Sequence, residues 1–292
     1  MRKESKFFII GSSGLIGSKI CNILKKKKIK YFYSDKNLDI TKDKFIKYLK
    51  KKKPNILINC SSHPGGLSFK DPAKNLEVNY LANVKIADWC SKNNCKFIFL
   101  SSSAVYGNRN KKIKIAENDF TDPQTIYGIN KLSTEKFLIN FSKYKKLNWL
   151  ILRLFATYGS GHKLNNYQGI INVILNQVLK NKNTVVLKGS KNRTRSLIHV
   201  FDASEIIIKL ALSNKKNQIY NVASPEISSI REIIIKISNI LNKKLKIKEK
   251  SSTFGDPLHN IANIRKLNKF LKYKFKYNLH NGLVQTIENI KI

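Results

Sequence analysis

Short runs of wholly apolar residues alternate, through the first half of the chain, with longer stretches whose apolar residues recur at helical spacing. The runs Lys6–Ile10, Lys30–Ser34, Asn55–Cys60, Lys96–Ser101 and Trp149–Arg153 predict strands. Leu15–Lys26, Lys42–Lys52, Leu76–Lys92 and Thr125–Lys143 predict the helices between them. Strands that are apolar throughout are buried on both faces, so this rhythm predicts a parallel sheet covered by helices on each side. Breakers stand where such a fold turns, at Pro54, Pro64-Gly65-Gly66, Asp122-Pro123 and Gly159-Ser160-Gly161.

Past Gly161 the alternation loosens. A helix at Gly169–Leu179 and strands at Val185–Leu187 and Leu197–Val200 lead to a helix at Ala203–Leu212, a strand at Ile219–Val222 and a helix at Ser229–Leu241; mostly polar residues follow. The expected architecture is α/β: a doubly wound parallel sheet over residues 1–160 and a smaller mixed lobe over 161–292, with roughly 197–222 rejoining the main sheet.

Composition narrows this only a little. A chain of 292 residues, 42% hydrophobic, can bury a sizeable core. No apolar run approaches the roughly 18 residues of a membrane span, and Phe7–Ile10 runs into Gly11 too soon for a signal peptide, so a cytoplasmic protein is expected. Cys21, Cys60, Cys90 and Cys95 lack Cys-x2-Cys spacing and predict small buried thiols, with neither metal nor disulfide. The formal charge of +38 resembles that of a nucleic-acid binder, yet the lysines run the whole length, as at Lys25–Lys28 and Lys50–Lys53. With so much Asn and Ile beside them, a lysine-prone coding bias accounts for the excess, and no specific nucleic-acid partner is expected. Such a field would still draw in a small anionic substrate.

Gly11, Gly14 and Gly17 close the first predicted strand and open the first predicted helix. There, one glycine permits a tight turn, another lets a pyrophosphate approach the backbone, and a third lets helix and strand pack closely. Their spacing, Gly-x2-Gly-x2-Gly, departs from the commoner Gly-x-Gly-x2-Gly. Asp35, where the next strand ends, suits the hydroxyls of an adenosine ribose and repels a 2′-phosphate, which points to NAD; Lys36 beside it keeps NADP open. Asp39-Ile40 either flanks the adenine or supplies a helix-capping Asp.

Ser101-Ser102-Ser103 ends a strand at the carboxyl edge of the sheet, where ligands sit in such folds. Beyond Asp122-Pro123, Tyr127 and Lys131 fall one turn apart on one helix face. With 12 tyrosines among so many lysines, about two Tyr-x3-Lys matches arise by chance, and Tyr48-x3-Lys52 is one such decoy. The decoy has no strand-end serines before it.

Together these residues resemble the extended short-chain dehydrogenase/reductase family of NAD-dependent nucleotide-sugar epimerases, dehydratases and reductases. The resemblance takes in Ile58-Asn59-Cys60-Ser61-Ser62, Val78-Asn79, Leu152 through Gly159, Arg195 through Asp202, Tyr220-Asn221-Val222 and Gly255-Asp256-Pro257. It implies a Rossmann-type fold and a base, Tyr127, that removes a proton from a sugar hydroxyl while hydride leaves for a nicotinamide. Lys131 would favour the phenolate and hold the nicotinamide ribose. Ser102 would bond the reacting oxygen, with Ser103 as the fallback. The implied cofactor contacts are Gly11, Ser13, Gly14, Leu15, Ile16, Gly17, Asp35, Asp39, Ile40, Cys60, Ser61, Ser62, Asn79, Ser101, Tyr127, Lys131 and Phe155. Those implied for the substrate are Ser102, Ser103, Asn166, Arg195 and Asp256.

Departures from the family pattern select among its reactions. Dehydratases usually carry Asp-Glu where Ser103 and Ala104 stand, and reductases that also epimerise carry Cys at Ala104. The family's frequent Asn after Phe155 is Ala156, and its frequent Arg two residues before Gly255 is Thr253, so the grip on a diphosphate is altered. The expectation is an NAD-dependent C4 epimerase of a nucleotide sugar. A 4-keto-6-deoxysugar reductase is the alternative, and a non-catalytic nicotinamide-binding sensor or scaffold is the reading from another class. His162 is either a loop acid or a surface residue, and His63 has no assigned role. The helices Leu76–Lys92 and Thr125–Lys143 resemble those that pair across a two-fold in the family, implying a homodimer.

Overall fold

A computed structural model describes residues 5–34, 37–109, 111–161, 164–165, 167–180 and 183–290. Six parallel strands form the main sheet: β1 (Phe7–Ile10), β2 (Tyr31–Tyr33), β3 (Ile56–Asn59), β4 (Lys96–Ser102), β5 (Trp149–Leu154) and β6 (Gln218–Val222), in the spatial order β6-β5-β4-β3-β1-β2. Because side chains alternate across a strand, an all-apolar strand must feed two cores. Phe7, Ile9, Ile56 and Ile58 pack into one layer under the helices Leu15–Lys26 and Val200–Leu212. Phe8, Ile10 and Leu57 enter the other, under Asp43–Lys52, Ala82–Lys92 and Ile126–Tyr144. The strand order reverses between β1 and β3, which places a crevice at the carboxyl ends of these strands.

The second lobe is built on a mixed sheet in the order Ile227–Ser229, Thr194–His199, His259–Ala262, Lys114–Ile115, with Ala156–Tyr158 pairing alongside Thr194–His199. Its own core gathers side chains from Ile170–Val178, Ile230–Ile240 and Leu279–Glu288. Within the stretch 197–222, β6 pairs with β5 and the helix Val200–Leu212 covers the main sheet, whereas Thr194–His199 belongs to the smaller sheet. The polar tail is more ordered than its pattern predicts, holding Lys246–Lys250, His259–Ala262, Arg265–Leu271 and Leu279–Glu288. Lys246–Lys250 is largely exposed and pairs only with Thr184–Lys188, so lysines satisfy it as well as apolar residues would.

One helix differs in form. The expected Leu76–Lys92 is three pieces: a turn of helix at Pro72–Leu76, a π-helical turn at Glu77–Leu81 and the helix Ala82–Lys92. The wide turn carries Asn79, whose backbone oxygen accepts from Thr134 at 2.7 Å. Among the described residues, no helix is long and apolar enough to cross a membrane.

Candidate active site

The glycine loop turns at Gly11, whose φ of +74° suits glycine, and a side chain there would lie 2.8 Å from the Ser61 nitrogen. Gly17 lies in the first turns of its helix directly over the Gly11 carbonyl, so even a methyl group would collide with backbone. Ser12 ties the loop to the end of β2 by donating to the Ser34 carbonyl at 2.8 Å. The N-terminus of Leu15–Lys26, with no acidic residue in its first turn, opens onto a cleft of about 910 Å³. Gly11, Ser13, Gly14, Leu15, Ile16, Ile40, Cys60, Ser61 and Ser62 line that cleft with Asp39, Tyr127 and Asp256. A glycine cradle that side chains would fill, beneath a helix N-terminus without a counter-charge, fits a dinucleotide pyrophosphate.

Asp39 does not cap the helix Asp43–Lys52, whose N-cap is Lys42. Its Oδ1 accepts from the backbone nitrogen and the hydroxyl of Thr41, each at 2.9 Å, and these bonds, the backbone one foremost, hold its carboxyl below the usual range. It caps a turn while lining the cleft. Asp35 lies outside the described residues.

Across the cleft stands the helix Ile126–Tyr144, started by Thr125, whose hydroxyl accepts from the Gly128 nitrogen at 3.0 Å. Tyr127 lies one residue inside, against Gly65. Burial raises its phenol pKa, while hydrogen bonding with the Ser102 and Ser62 side chains pulls it back. Lys131 is buried, donates to the Leu100 carbonyl at 2.9 Å, and has its ammonium 5.7 Å from the centre of the Tyr127 ring. Burial takes its pKa down to about 7, against the opposing pull of Cys60 and Glu135. Lys131 and Ser102 therefore flank Tyr127, which lines the cleft together with the glycine loop.

Of the expected cofactor contacts, Gly17, Asn79, Ser101, Lys131 and Phe155 do not line the cleft. Ser101 donates at 2.5 Å to Glu135, which is buried and held by three bonds from Arg153, at 3.0, 3.2 and 2.6 Å. A hydroxyl engaged by a buried carboxylate is not offered to a ligand. Phe155 is buried against Tyr106, with ring centres 6.3 Å apart. Asn79 is buried and shapes the loop instead: its Oδ1 accepts from the Ser62 hydroxyl at 2.9 Å and the His63 nitrogen at 3.1 Å. It is one of a lattice of carboxamides. Asn59 bonds Asn83 at 2.7 Å, Asn130 bonds Asn75 at 2.9 Å, and Asn75 reaches the His63 ring at 3.2 Å. His63 thus belongs to the scaffold under Tyr127.

The second lobe contributes a charged cluster. Gly255, with φ +75°, packs on Thr125 closely enough that a side chain would lie 2.6 Å from its methyl carbon. This contact delivers Asp256 to the cleft beside the Tyr127 helix. Arg195 donates to Asp256 at 2.7 Å, and Arg193 pairs with the other carboxylate oxygen. Burial, helped by Arg193, lowers the Arg195 pKa to about 9. The sequence reading missed Arg193, although residues two apart in extended chain share a face, and that spacing would have found it. Asn166 and His162 lie outside the described residues. The arrangement supplies a base, a hydroxyl beside it, a dinucleotide cradle and two guanidiniums on one carboxylate.

Residues 7–223 match the model of the NAD dependent epimerase/dehydratase family. Over 231 residues the chain is 29% identical to the dTDP-4-dehydro-6-deoxyglucose reductase of Escherichia coli, covering 77% of this chain and 71% of that one. Over 168 residues it is 27% identical to a putative UDP-glucose 4-epimerase of Methanocaldococcus jannaschii, covering 57% and 54%. Among solved structures, the UDP-glucose 4-epimerase of Thermotoga maritima with UDP-glucose superposes with a TM-score of 0.89 at 21% identity, covering 97% of this chain and 98% of that one. The UDP-glucuronic acid 4-epimerase of Bacillus cereus, with UDP-glucuronic acid and NAD, gives 0.89 at 22% identity and covers 98% of each chain.

Proposed function

The chain belongs to the NAD dependent epimerase/dehydratase family, and from that premise we propose that it inverts C4 of a nucleotide sugar through a transient 4-keto sugar. The observation that carries the reading is Tyr127, with Ser102 and Lys131 beside it, lining the cleft that also holds Gly11, Ser13, Gly14, Leu15 and Ile16. NAD, when bound, supplies the hydride acceptor and donor. Gly11, Ser13, Gly14, Leu15 and Ile16 would hold its pyrophosphate, and Ile40, Cys60, Ser61 and Ser62 would line its path.

Tyr127 takes the proton of the C4 hydroxyl at its phenolic oxygen and gives it back at the end of the cycle. Ser102 bonds the same sugar oxygen and holds it in line with that phenol. Lys131 biases the phenol towards its anion once it carries charge. Burial disfavours the ionic form of both side chains, so the free protein keeps the phenol protonated while the amine titrates near neutrality. Arg195 and Arg193, positioned by Asp256, would hold the diphosphate end, the two guanidiniums offering the donors that Thr253 cannot. We divide the chain for this purpose into a cofactor lobe, 1–160 with β6 and the helix before it, and a sugar lobe made of the rest.

Incubation with UDP-, GDP-, CDP- and dTDP-sugars, read by proton NMR, tests this: inversion at C4 without added reductant is the expected result. The kinship with the Escherichia coli reductase favours a second reading, reduction of a 4-keto-6-deoxysugar nucleotide. Steady consumption of added NADH with such a sugar, and no inversion, would select it. Unchanged turnover in Tyr127→Phe would leave only a nucleotide-binding sensor. The protein would act as a homodimer: the helix Ile126–Tyr144 and the segment before Ala82 expose Leu76, Leu81, Ile129 and Tyr144 beside the stacked Phe137 and Phe141, an apolar strip suited to a second copy. Sedimentation showing only monomer at micromolar concentration would remove that part.

A further inference from the structure

Two strands of the second lobe, Thr184–Lys188 and Lys246–Lys250, form a parallel ribbon of their own. Their register sets Lys246 beside Thr184, Lys248 beside Val186 and Lys250 beside Lys188, so four lysines leave one face of the ribbon. All four are exposed, as is Lys244 just before the strand. Val185, Leu187 and Ile247 leave the other face and pack into the core of the lobe. Glu249, the one acid of the ribbon, is on that other face and accepts a bond from the Lys191 nitrogen. Among the described residues, none of the five lysines enters an ion pair. Lysine runs elsewhere are placed differently. Lys25 and Lys26, like Lys50 to Lys52, stand in the last turn of a helix, where they answer the negative end of its dipole, and Lys27 pairs with Glu205 at 2.9 Å. The ribbon's lysines complete no such contact, and Lys250 directly beside Lys188 is a repulsion. Both strands run on towards the mouth of the cleft: Arg193 comes five residues after Lys188, and Asp256 six after Lys250. The residues from Lys250 to Phe254 are all exposed, and Phe254 meets the exposed Phe69 edge-on, ring centres 6.2 Å apart.

We propose that this lysine face, with Phe254 and Phe69 at its end, docks the protein reversibly on the surface of an anionic lipid bilayer. Ammonium groups about 7 Å apart, two residues of extended chain, form a plane that meets many separate headgroup charges at once. Each lysine held near such a surface adds attraction, which salt screens within a few ångströms. Exposed phenyl rings beside a basic surface supply the apolar contact that ammoniums cannot. Nucleic acid fits the face less well. Its back is buried, so the ribbon cannot enter a major groove, and no aromatic stands among the lysines for bases to stack on. The inference holds whichever reaction the cleft performs.

The test is co-sedimentation with vesicles of phosphatidylcholine alone and of phosphatidylcholine with an equal part of phosphatidylglycerol. The parent should bind only the anionic vesicles, and less tightly as salt rises. Lys246→Glu/Lys248→Glu/Lys250→Glu should weaken that binding by about a hundredfold, the worth of three lysines near such a surface, with NAD affinity and melting temperature kept. Lys44→Glu/Lys47→Glu/Lys51→Glu makes the same change of charge at exposed positions of the helix Asp43–Lys52. It should weaken binding by no more than about tenfold, through the overall field. Phe254→Ser should weaken binding to the vesicles and leave binding to a polyuridine RNA as it was. Equal losses in the two triple variants would reduce the effect to net charge and overturn the face, as would a parent that ignores anionic vesicles. Binding to the RNA but not to the vesicles, lost in the first triple variant, would replace the bilayer with a nucleic acid.

Discussion

The wall of the cleft that carries Gly11 to Gly17 comes from one continuous stretch of chain pressed against its own backbone, while the opposite side gathers Arg193 and Arg195 on Asp256 and brings Asn260 to Ser103, 157 residues away. The first wall is fixed by sterics, so its tolerance is set by volume. Charge pairing and carboxamide bonds fix the second, so its tolerance is set by which polar partners remain. A change of size should therefore hurt the first wall through folding, and a change of polarity should hurt the second through affinity.

Where the walls meet, the largest effect is expected. Tyr127→Phe should cut turnover by roughly 10²–10⁴-fold, the usual worth of a positioned acid–base group, with thermal melting unchanged; a loss of only a few-fold would mean that proton transfer runs elsewhere. On the steric wall, Gly17→Ala forces a methyl group into the Gly11 carbonyl. It should cost about 1–3 kcal/mol, the range for overpacking, seen as an earlier urea midpoint and poorer NAD retention.

On the polar wall, Arg193→Ala should raise KM for the nucleotide sugar by about tenfold, matching one charge-assisted bond, and leave kcat and melting nearly as they were. Equal melting losses in Arg193→Ala and Gly17→Ala would erase the contrast between the walls. The smallest effect concerns Lys131, whose folded pKa lies near 7, below its unfolded value. Between those two values the unfolded chain binds the extra proton, so this lysine's destabilising contribution is full below about pH 7 and fades as pH rises. Lys131→Met should accordingly melt higher than the parent at pH 7, and the gap should narrow towards pH 10; a constant gap would contradict the burial argument.

Local patterning made the first wall readable. Strand, glycines and helix lie side by side in the chain, and the structure gives Leu15–Lys26 with the bounds that the pattern predicts. The second wall was only partly readable, because its partners are distant and its strand His259–Ala262 carries too few apolar residues to stand out. Arg153 was a missed signal: a guanidinium in an otherwise apolar strand needs a buried partner, and Glu135 is that partner. Family resemblance also assigned Ser101 and Phe155 to the cofactor, but strand alternation turns Ser101 to Glu135, and Phe155, just past the end of β5, packs on Tyr106.

The carboxamide lattice of Asn59, Asn75, Asn79, Asn83 and Asn130 beneath the reacting tyrosine has one more consequence. Amide side chains neither gain nor lose protons in the range where enzymes work, so this set of amide contacts keeps its shape while acidity changes around it. A rate profile recorded across that range would then register the proton affinities of the reacting groups themselves, undistorted by any loosening of the floor on which they stand.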